Sequence, residues 1–299
     1  MSSGSSTAAS VTGAATLTVL TPAYQSGGFL PAALASVAAA GVQHVVMDGG
    51  SSDGTVPVLE AAPSVVWRSE PDRGQSHALN KALAEADGEW IGWLNADEFY
   101  LPGVLDWVRT RLEVGDVDVL FGDFAEVDVD GRLIRLVTNH RWSRSILRRV
   151  GCYVPSCATF VRRELLEQVG GWREDLATIM DWELWLRLDA AGARFGYEPV
   201  VVSGFTRHDG QVTTRQVERG RSEREGLFAQ YGIVNPRWRR LLARMHRSAR
   251  KALNGNYVRE LAARPLGGAP LSGPRDDVAV ASTLARINPR IAQADRLVG

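Results

Sequence analysis

The segment Trp90-Ile91-Gly92-Trp93-Leu94-Asn95-Ala96-Asp97-Glu98 begins as an apolar run and ends in oxygen-bearing side chains. A short apolar run that stops at polar residues predicts a buried strand over 90–94 followed by a loop. Two earlier runs end in the same way, namely Leu17–Leu20 before Pro22–Tyr24 and Gln43–Met47 before Asp48–Ser52. The three segments therefore share one pattern, in which a buried strand leads into a polar cluster.

Helical segments separate these strands. The Ala- and Leu-rich stretch 29–40 has Pro31 near its start and Gly41 just past its end, which is typical helix punctuation. Strands that alternate with helices predict an α/β fold with a mostly parallel central sheet flanked by helices. Ligands of such sheets bind at the carboxyl ends of the strands, so we expect the three polar clusters to meet at one edge.

The chain divides into three predicted regions. Residues 1–15 are rich in Ser, Ala, Gly and Thr, and we expect them to be disordered. Residues 16–232 are expected to form one domain, in which the pattern changes at Asp123 to a hairpin centred on Asp130-Gly131. Residues 233–299 are expected to form a C-terminal helical extension, with no clear core beyond Gly255.

Composition excludes several classes of protein. The 299 residues contain 34 Lys and Arg and 34 Asp and Glu, which does not suit a globally basic nucleic-acid binder. No segment reaches the roughly 18–20 apolar residues of a membrane span, and the start of the chain lacks the positive region of a signal peptide. Two cysteines form no disulfide framework. We expect reduced thiols and a cytoplasmic protein.

Two carboxylates stand at positions suited to chemistry. Asp97 follows a predicted strand, where its oxygen atoms suit Mg²⁺ or Mn²⁺, although Asp and Glu at a strand end also serve as turn formers. Asp181 begins the predicted helix 180–190 and is either a first-turn residue favoured by the helix dipole or a general base.

Two further segments carry polar groups that suit an anion or a metal. The stretch 70–77 leads into a helix and contains Arg73, so its backbone amides predict an anion site. His208 lies in the polar loop 205–210 and is either simply exposed or a metal or phosphate partner.

Taken together, these motifs resemble glycosyltransferase family 2, of the GT-A fold, from about Thr16 to Val212. The motifs occur in the family's order and are Leu20-Thr21-Pro22-Ala23-Tyr24, Met47-Asp48-Gly49-Gly50-Ser51-Ser52-Asp53-Gly54-Thr55, Ser69-Glu70-Pro71-Asp72-Arg73-Gly74-Gln75, Gly92–Glu98, and Gly170-Gly171-Trp172 followed by Met180-Asp181-Trp182-Glu183-Leu184-Trp185.

The resemblance implies a role for each matching position. The nucleobase pocket would be lined by Pro22, Ala23 and Tyr24, with Asp48 accepting a hydrogen bond from the base and Asp53 near the base and ribose. The diphosphate and donor sugar would lie against Arg73, Gly74 and Gln75. The metal motif would be Asn95-Ala96-Asp97, with Asp97 as the main ligand of Mn²⁺ or Mg²⁺ and His208 as a further metal or diphosphate contact. The catalytic base would be Asp181.

Three positions depart from the family's pattern. Asn95 replaces the first Asp of the D-x-D motif, and Glu98 stands where a further Asp is frequent. Met180 replaces a Glu beside Asp181, so we expect the pKa of Asp181 to be less elevated than it would be beside an acid.

The predicted function is an inverting, metal-assisted glycosyltransferase that moves a sugar from a nucleoside-diphosphate donor to an acceptor hydroxyl by single displacement. A UDP-sugar is expected, with thymidine and guanosine as alternatives; the acceptor is a sugar, a lipid-linked glycan or a small molecule. A nucleotidyltransferase would need a basic Gly-rich loop near the first strand, which 23–26 does not supply. A non-catalytic sugar-nucleotide-binding module would not need Asp97 and Asp181.

The extension begins with a basic amphipathic helix over 236–253. Its Leu and Met residues are expected to pack on the main domain with its arginines in solvent. The alternative is peripheral contact with the inner face of a membrane.

Overall fold

A nine-stranded sheet is the centre of the computed structural model, which describes residues 16–211, 216–234, 236–274 and 276–291. The predicted disordered segment 1–15 lies outside these residues. The strands are β1 Leu17–Ala23, β2 Gln43–Asp48, β3 Val66–Ser69, β4 Trp90–Trp93, β5 Glu98–Tyr100, β6 Val119–Val127, β7 Leu133–Val137, β8 Thr159–Arg162 and β9 Phe195–Thr206.

Helices connect the strands and continue beyond them. They are α1 Leu30–Ala38, α2 Thr55–Glu60, α3 Gln75–Ala84, α4 Val104–Leu112, α5 Arg144–Arg149, α6 Arg163–Gln168, α7 Met180–Ala190, α8 Val217–Gln230, α9 Arg237–Leu253, α10 Asn256–Ala263 and α11 Val278–Ile287. None of the helices in the described ranges is long and apolar enough to cross a membrane.

The strand order is β3-β2-β1-β4-β8-β6-β9-β5, with β7 paired to β6. β3, β2, β1 and β4 are mutually parallel, and β8 is antiparallel to both β4 and β6. β6 therefore runs in the same direction as the first four strands, and β9 is parallel to β6. The predicted α/β fold with a mostly parallel sheet is confirmed.

Helices cover both faces of the sheet, as the alternation along β1 shows. Val19 joins one hydrophobic cluster together with Leu34 of α1. The next residue, Leu20, points to the other face and joins a second cluster with Leu79 of α3. Burial on both faces explains why the strands read as apolar runs.

The predicted hairpin around Asp130-Gly131 is confirmed by the antiparallel pairing of β6 and β7, although its first strand begins at Val119 and runs through Asp123 without a break. Asp123 is fully buried within this nine-residue strand. Its carboxylate accepts hydrogen bonds from Arg259 of α10 at 2.6 Å, from the backbone of Asn139 at 2.6 Å and from the Tyr197 hydroxyl at 2.9 Å. A buried carboxylate needs such partners, and the cationic one lies 136 residues further along the chain.

The C-terminal residues are part of the main core, contrary to the expectation that no core exists beyond Gly255. Leu266, Leu271 and Ile287 are buried in the same cluster as Val19. The backbone of Leu133 in β7 donates to Ala269 at 2.9 Å and accepts from Gly268 at 2.8 Å. Polar bonds thus add to the apolar contacts that hold this segment.

Candidate active site

The loops after β1, β2 and β3 meet at the carboxyl ends of those strands. The backbone of Gly49 donates to Ala23 at 2.9 Å. A Cβ atom on Gly49 would lie 2.8 Å from the Asp72 carboxylate and 3.2 Å from the ring of Tyr24, so a larger residue would have to displace Asp72. Tyr24 is 64% exposed, and Pro22 is half-buried beside it. These residues provide the surface on which a nucleobase was expected.

Asp48 closes the turn at the end of β2. Its buried carboxylate accepts hydrogen bonds from the backbone and hydroxyl of Ser51, from the backbone of Gly50 and from the Ser69 hydroxyl at 2.6 Å. A base N–H would reach Asp48 only after Ser51 or Ser69 moved aside. The carboxylate of Asp48 therefore joins its own loop to the end of β3.

Asp53 holds two loops together. Its oxygen atoms accept from the backbone and hydroxyl of Thr55 and from the backbone of Gly27 at 3.0 Å. These bonds, the Thr55 hydroxyl above all, lower the pKa of Asp53. An ionised Asp53 fixes the position of the loop that carries Tyr24.

The start of α3 offers unused backbone donors. Gly74 precedes the helix with a φ of 112° that favours glycine. The N–H groups of Gln75 and Ser76 donate to no acceptor within the part of the chain that the structure describes. Arg73 lies beside them, paired with Glu174 and largely exposed. Free amides at a helix start with a nearby guanidinium suit a diphosphate.

Asn95 lies between two donors. Its side-chain oxygen accepts from Gln75 Nε2 at 2.5 Å and from Trp93 Nε1 at 2.9 Å. Trp93 also packs edge-on against Trp172, with 5.6 Å between the ring centroids. Asn95 therefore joins the strand end to α3, while Ala96 beyond it is buried.

Asp97 and His208 meet, although 111 residues separate them. Asp97 Oδ2 lies 2.9 Å from His208 Nε2, and Phe29 stacks on the imidazole with 4.6 Å between centroids. The backbone of Gly210 donates to His208 Nδ1 at 3.2 Å, so in the neutral ring Nε2 carries the proton and donates to Asp97.

The Asp97–His208 pair would contribute ligands to a divalent cation once the proton on Nε2 moved to Nδ1 and the hydrogen bond from Gly210 was released, because Nε2 would then be free to bind the ion. Within the described ranges, no three His, Cys, Asp or Glu side chains are grouped to hold a metal ion. Mg²⁺ and Mn²⁺ accept one or two protein ligands when phosphate oxygens and water complete the shell. Both side chains are partly exposed, which leaves room for such ligands.

Glu98 points inward from this site. It is buried, accepts from the backbone of Asn95 at 2.8 Å through one oxygen and has no partner for the other. Burial, and next the charge of Asp97, raise the pKa of Glu98 to about 8. Glu98 therefore binds a proton more readily than an ordinary glutamate, and its hydrogen bond to Asn95 supports the loop.

Asp181 occupies the first turn of α7. Burial by its surroundings raises its pKa, although Met180 supplies no acidic neighbour. Its oxygen atoms accept from the backbone of Trp182 at 2.6 Å and from the Cys152 thiol at 3.4 Å. A partly exposed carboxylate with a raised pKa can accept a proton from a bound hydroxyl.

The loop before α7 is fixed by α8. Glu223 accepts from the backbones of Ala177 and Thr178, each at 2.9 Å, and from the Thr178 hydroxyl at 2.7 Å. A second contact joins Phe228 edge-on to Trp182 at 5.7 Å. These contacts fix the position of the first turn of α7 and so the position of the Asp181 side chain.

The first turn of α3 links the two predicted motifs. Gln75 contacts Asn95, two residues before Asp97. The next residue, Ser76, donates to Met180 Sδ at 3.2 Å, one residue before Asp181. Adjacent residues of one helix thus contact both the strand-end cluster and the start of α7.

Sequence reasoning missed Cys152 and Glu174. Cys152 was interpreted only as a reduced thiol, and nothing in the local pattern indicates that it contacts Asp181. Glu174 pairs with Arg73 and also accepts from Asn80 at 3.2 Å. The signal available for Glu174 was its place just after the Gly170-Gly171-Trp172 motif.

Comparison with known proteins identifies the family of this chain. The family model described as Glycosyl transferase family 2 matches residues 18–170, just over half of the chain. An uncharacterized glycosyltransferase of Mycobacterium tuberculosis is 29% identical over 238 residues, which cover 71% of this chain and 89% of that protein. A PGL/p-HBAD biosynthesis glycosyltransferase of Mycobacterium bovis is 26% identical over 215 residues, covering 66% and 78%.

Solved structures share the GT-A fold. TarS 1–349 of S. aureus, in complex with UDP-GlcNAc, has a TM-score of 0.56 at 16% identity and covers 93% of this chain and 83% of that one. The mannosyltransferase PcManGT from Pyrobaculum calidifontis, in complex with GDP-Man and Mn²⁺, has a TM-score of 0.56 at 19% identity, covering 96% and 77%. The chain spans only 37% of the longer TarS chain.

Proposed function

Because this chain belongs to glycosyl transferase family 2, we propose that it moves a sugar from a UDP-sugar to an acceptor hydroxyl, with metal assistance and inversion at the anomeric carbon. The observation that carries the proposal is the first turn of α3, where Gln75 contacts Asn95 and Ser76 contacts Met180. This turn brings a predicted donor site and a predicted base to one helix end.

Asp181 is proposed as the base. As the acceptor oxygen attacks the anomeric carbon, its proton passes to the carboxylate of Asp181. Attack from the face opposite the leaving diphosphate inverts that carbon in a single displacement. Burial raises the pKa of Asp181, which strengthens it as a base. Its lack of an ion-pair partner among the described residues leaves the carboxylate available.

The donor diphosphate is proposed to lie between α3 and the Asp97–His208 pair. The free N–H groups of Gln75 and Ser76 would donate to its oxygen atoms, with Arg73 beside them. Asp97 and His208 would hold a divalent ion, Mn²⁺ or Mg²⁺, which stabilises the negative charge that develops on the leaving group. Tyr24 would lie against the base.

The choice of donor rests on the family and its neighbours. TarS is described in complex with UDP-GlcNAc, and PcManGT with GDP-Man and Mn²⁺. Both support a nucleoside-diphosphate sugar, and the second supports a divalent metal. For the acceptor we propose a sugar, a lipid-linked glycan or a small molecule.

Calorimetry with the full chain tests the donor site. We expect UDP to bind more tightly with Mn²⁺ than without it, and more tightly than GDP. Asp97→Ala should bind UDP equally in both conditions, because it removes one of the two protein ligands. Asp106→Ala, an exposed aspartate of α4, is the matched control and should behave as wild type.

Equal UDP affinity of the wild-type protein with and without Mn²⁺ would reject the metal site. Stronger binding of GDP than of UDP would mean that the donor carries guanosine instead of uridine, and the proposed reaction would stay the same. Slow release of free sugar from a UDP-sugar by the purified protein is expected of an enzyme, and its complete absence would favour a binding module.

A further inference from the structure

Helix α9 turns its apolar face away from the protein. Trp238, Leu241, Leu242 and Met245 are 58%, 59%, 56% and 59% exposed, and the helical repeat places them on one face. We call these four residues the apolar face of α9. The expectation that the Leu and Met residues pack on the main domain is therefore wrong.

The opposite face makes the contacts with the protein. Ala243 is the one buried residue of α9. Arg250 donates to the backbone oxygen atoms of Arg141 at 3.2 Å and Trp142 at 3.3 Å, and Lys251 pairs with Glu260 at 2.6 Å. An amphipathic helix of a soluble domain normally buries its apolar side. Here polar bonds fix the helix so that the apolar side stays outside.

The exposed apolar surface extends into α10. Leu253 ends α9 with an exposed side chain, and Tyr257, Val258 and Leu261 of α10 are also exposed. Isolated exposed apolar residues are ordinary, whereas a cluster across two consecutive helices marks an interaction surface.

The charges of α9 indicate what covers this surface. Its seventeen residues include seven cations and no acid, namely Arg237, Arg239, Arg240, Arg244, Arg247, Arg250 and Lys251. At 100° per residue, Arg237 and Arg244 flank the apolar face on one side, and Arg239 with His246 flank it on the other. The whole chain has a net charge of zero, so this positive charge is local.

We propose that α9 and α10 lie in the surface of a membrane that contains anionic lipids. The apolar face would enter the boundary between headgroups and acyl chains, and the flanking arginines would meet lipid phosphates. A second copy of the chain is the less suitable occupant, because two such faces packed together would bring rows of arginine against each other.

Vesicle flotation with the full chain tests this proposal. We expect the protein to float with vesicles that contain phosphatidylglycerol and to stay behind with pure phosphatidylcholine vesicles. Raised salt should weaken the binding, since exposed charges are screened. Arg237→Gln with Arg244→Gln should weaken binding about 30-fold. Leu241→Ser with Leu242→Ser should weaken it by about 10-fold or more.

The matched control exchanges two exposed arginines of α8, Arg221→Gln with Arg224→Gln, and should float like wild type. All these positions are exposed, and circular dichroism of each variant checks that it is folded. Failure of the wild-type chain to float with anionic vesicles would overturn the proposal. Equal flotation of the α8 and α9 arginine variants would do the same, as would a lipid-free dimer that dissociates in the Leu241→Ser, Leu242→Ser variant.

Discussion

Among the residues that the structure describes, the thiol of Cys152 is the one side chain that donates a hydrogen bond to Asp181. Burial raises the pKa of Cys152 well above its usual range, so the sulfur keeps its proton and donates to Asp181. The same hydrogen bond holds the pKa of Asp181 below the value that burial alone would give. At the scale of one residue, the pKa of the proposed base is thus a balance between burial, which raises it, and two donors that lower it, first the Trp182 backbone and then the Cys152 thiol.

Asp181→Asn should lower kcat by about 10²–10⁴-fold, because a positioned base contributes about that much to the rate. UDP affinity by calorimetry should be retained, since the substitution keeps the shape and lies on the acceptor side. Asp175→Asn, an exposed aspartate of the preceding loop, should leave kcat unchanged. Full turnover by Asp181→Asn would show that another group accepts the proton.

Cys152→Ala should move the acidic limb of the kcat–pH profile to higher pH. Without the thiol donor the pKa of Asp181 rises, and the base is ionised only at higher pH. Cys152→Ser keeps a donor and should restore the wild-type limb, which identifies Cys152 as a positioning residue. A loss of kcat at every pH with an unmoved limb would point to a packing effect.

At the same scale, the sequence motifs indicated which residues belong to the candidate site but not which hydrogen bonds those residues form. Asp97, Asp181 and His208 were predicted from a family pattern, and the Asp97–His208 contact agrees with a shared role. The partners of Asp48 and Asn95 could not be foreseen, because they come from side chains whose direction depends on loop geometry.

Individual elements follow the sequence closely where their signal is local. Helix α7 begins and ends at the predicted residues 180 and 190, because its apolar spacing and the loops on either side define it. The direction in which an amphipathic helix faces is a different matter. The pattern of α9 shows that an apolar face exists, and only its bonds to Arg141, Trp142 and Glu260 decide that this face points outward.

A buried histidine in strand β2 makes the stability of the fold depend on pH. His44 is buried and lies 2.9 Å from the Thr21 hydroxyl of β1, and burial lowers its pKa from 6.5 to about 3. Below pH 6.5 the unfolded chain binds a proton that the folded chain rejects. Stability from this group is therefore complete above pH 6.5 and is lost as pH falls toward 3.

Urea unfolding at several pH values measures this dependence. His44 alone should reduce the free energy of unfolding by about 2 kcal/mol between pH 6.5 and pH 5. His44→Gln should flatten the slope in that range, whereas His246→Gln, at an exposed histidine of α9, should not. Parallel slopes for wild type and His44→Gln would mean that His44 is protonated in the folded state.

For the whole molecule, the last described segment is bonded to the sheet and packed on its core. Val201 of β9 lies just beyond the residues that pair with β5. Asn288 donates to the Val201 oxygen and accepts from its N–H, each at 2.7 Å. The family match ends at residue 170 and includes neither Val201 nor Asn288.

Asn288→Ala should lower the free energy of unfolding by about 2–4 kcal/mol, because a buried backbone group left without a partner costs about 1–3 kcal/mol. Asn254→Ala, at an exposed position after α9, should change it by less than about 0.5 kcal/mol. Urea denaturation of both variants measures the difference. Equal stability would show that water replaces the amide.

The bonds between Val201 and Asn288 also order events during protein synthesis. The ribosome synthesises Val201 of β9 87 residues before Asn288, whose side-chain amide bonds to it. Arg259, the partner of Asp123, likewise emerges 136 residues after the carboxylate it neutralises. A nascent polypeptide released early therefore carries a sheet with an open edge and a lone buried acid, which makes it a natural substrate for chaperones and proteases.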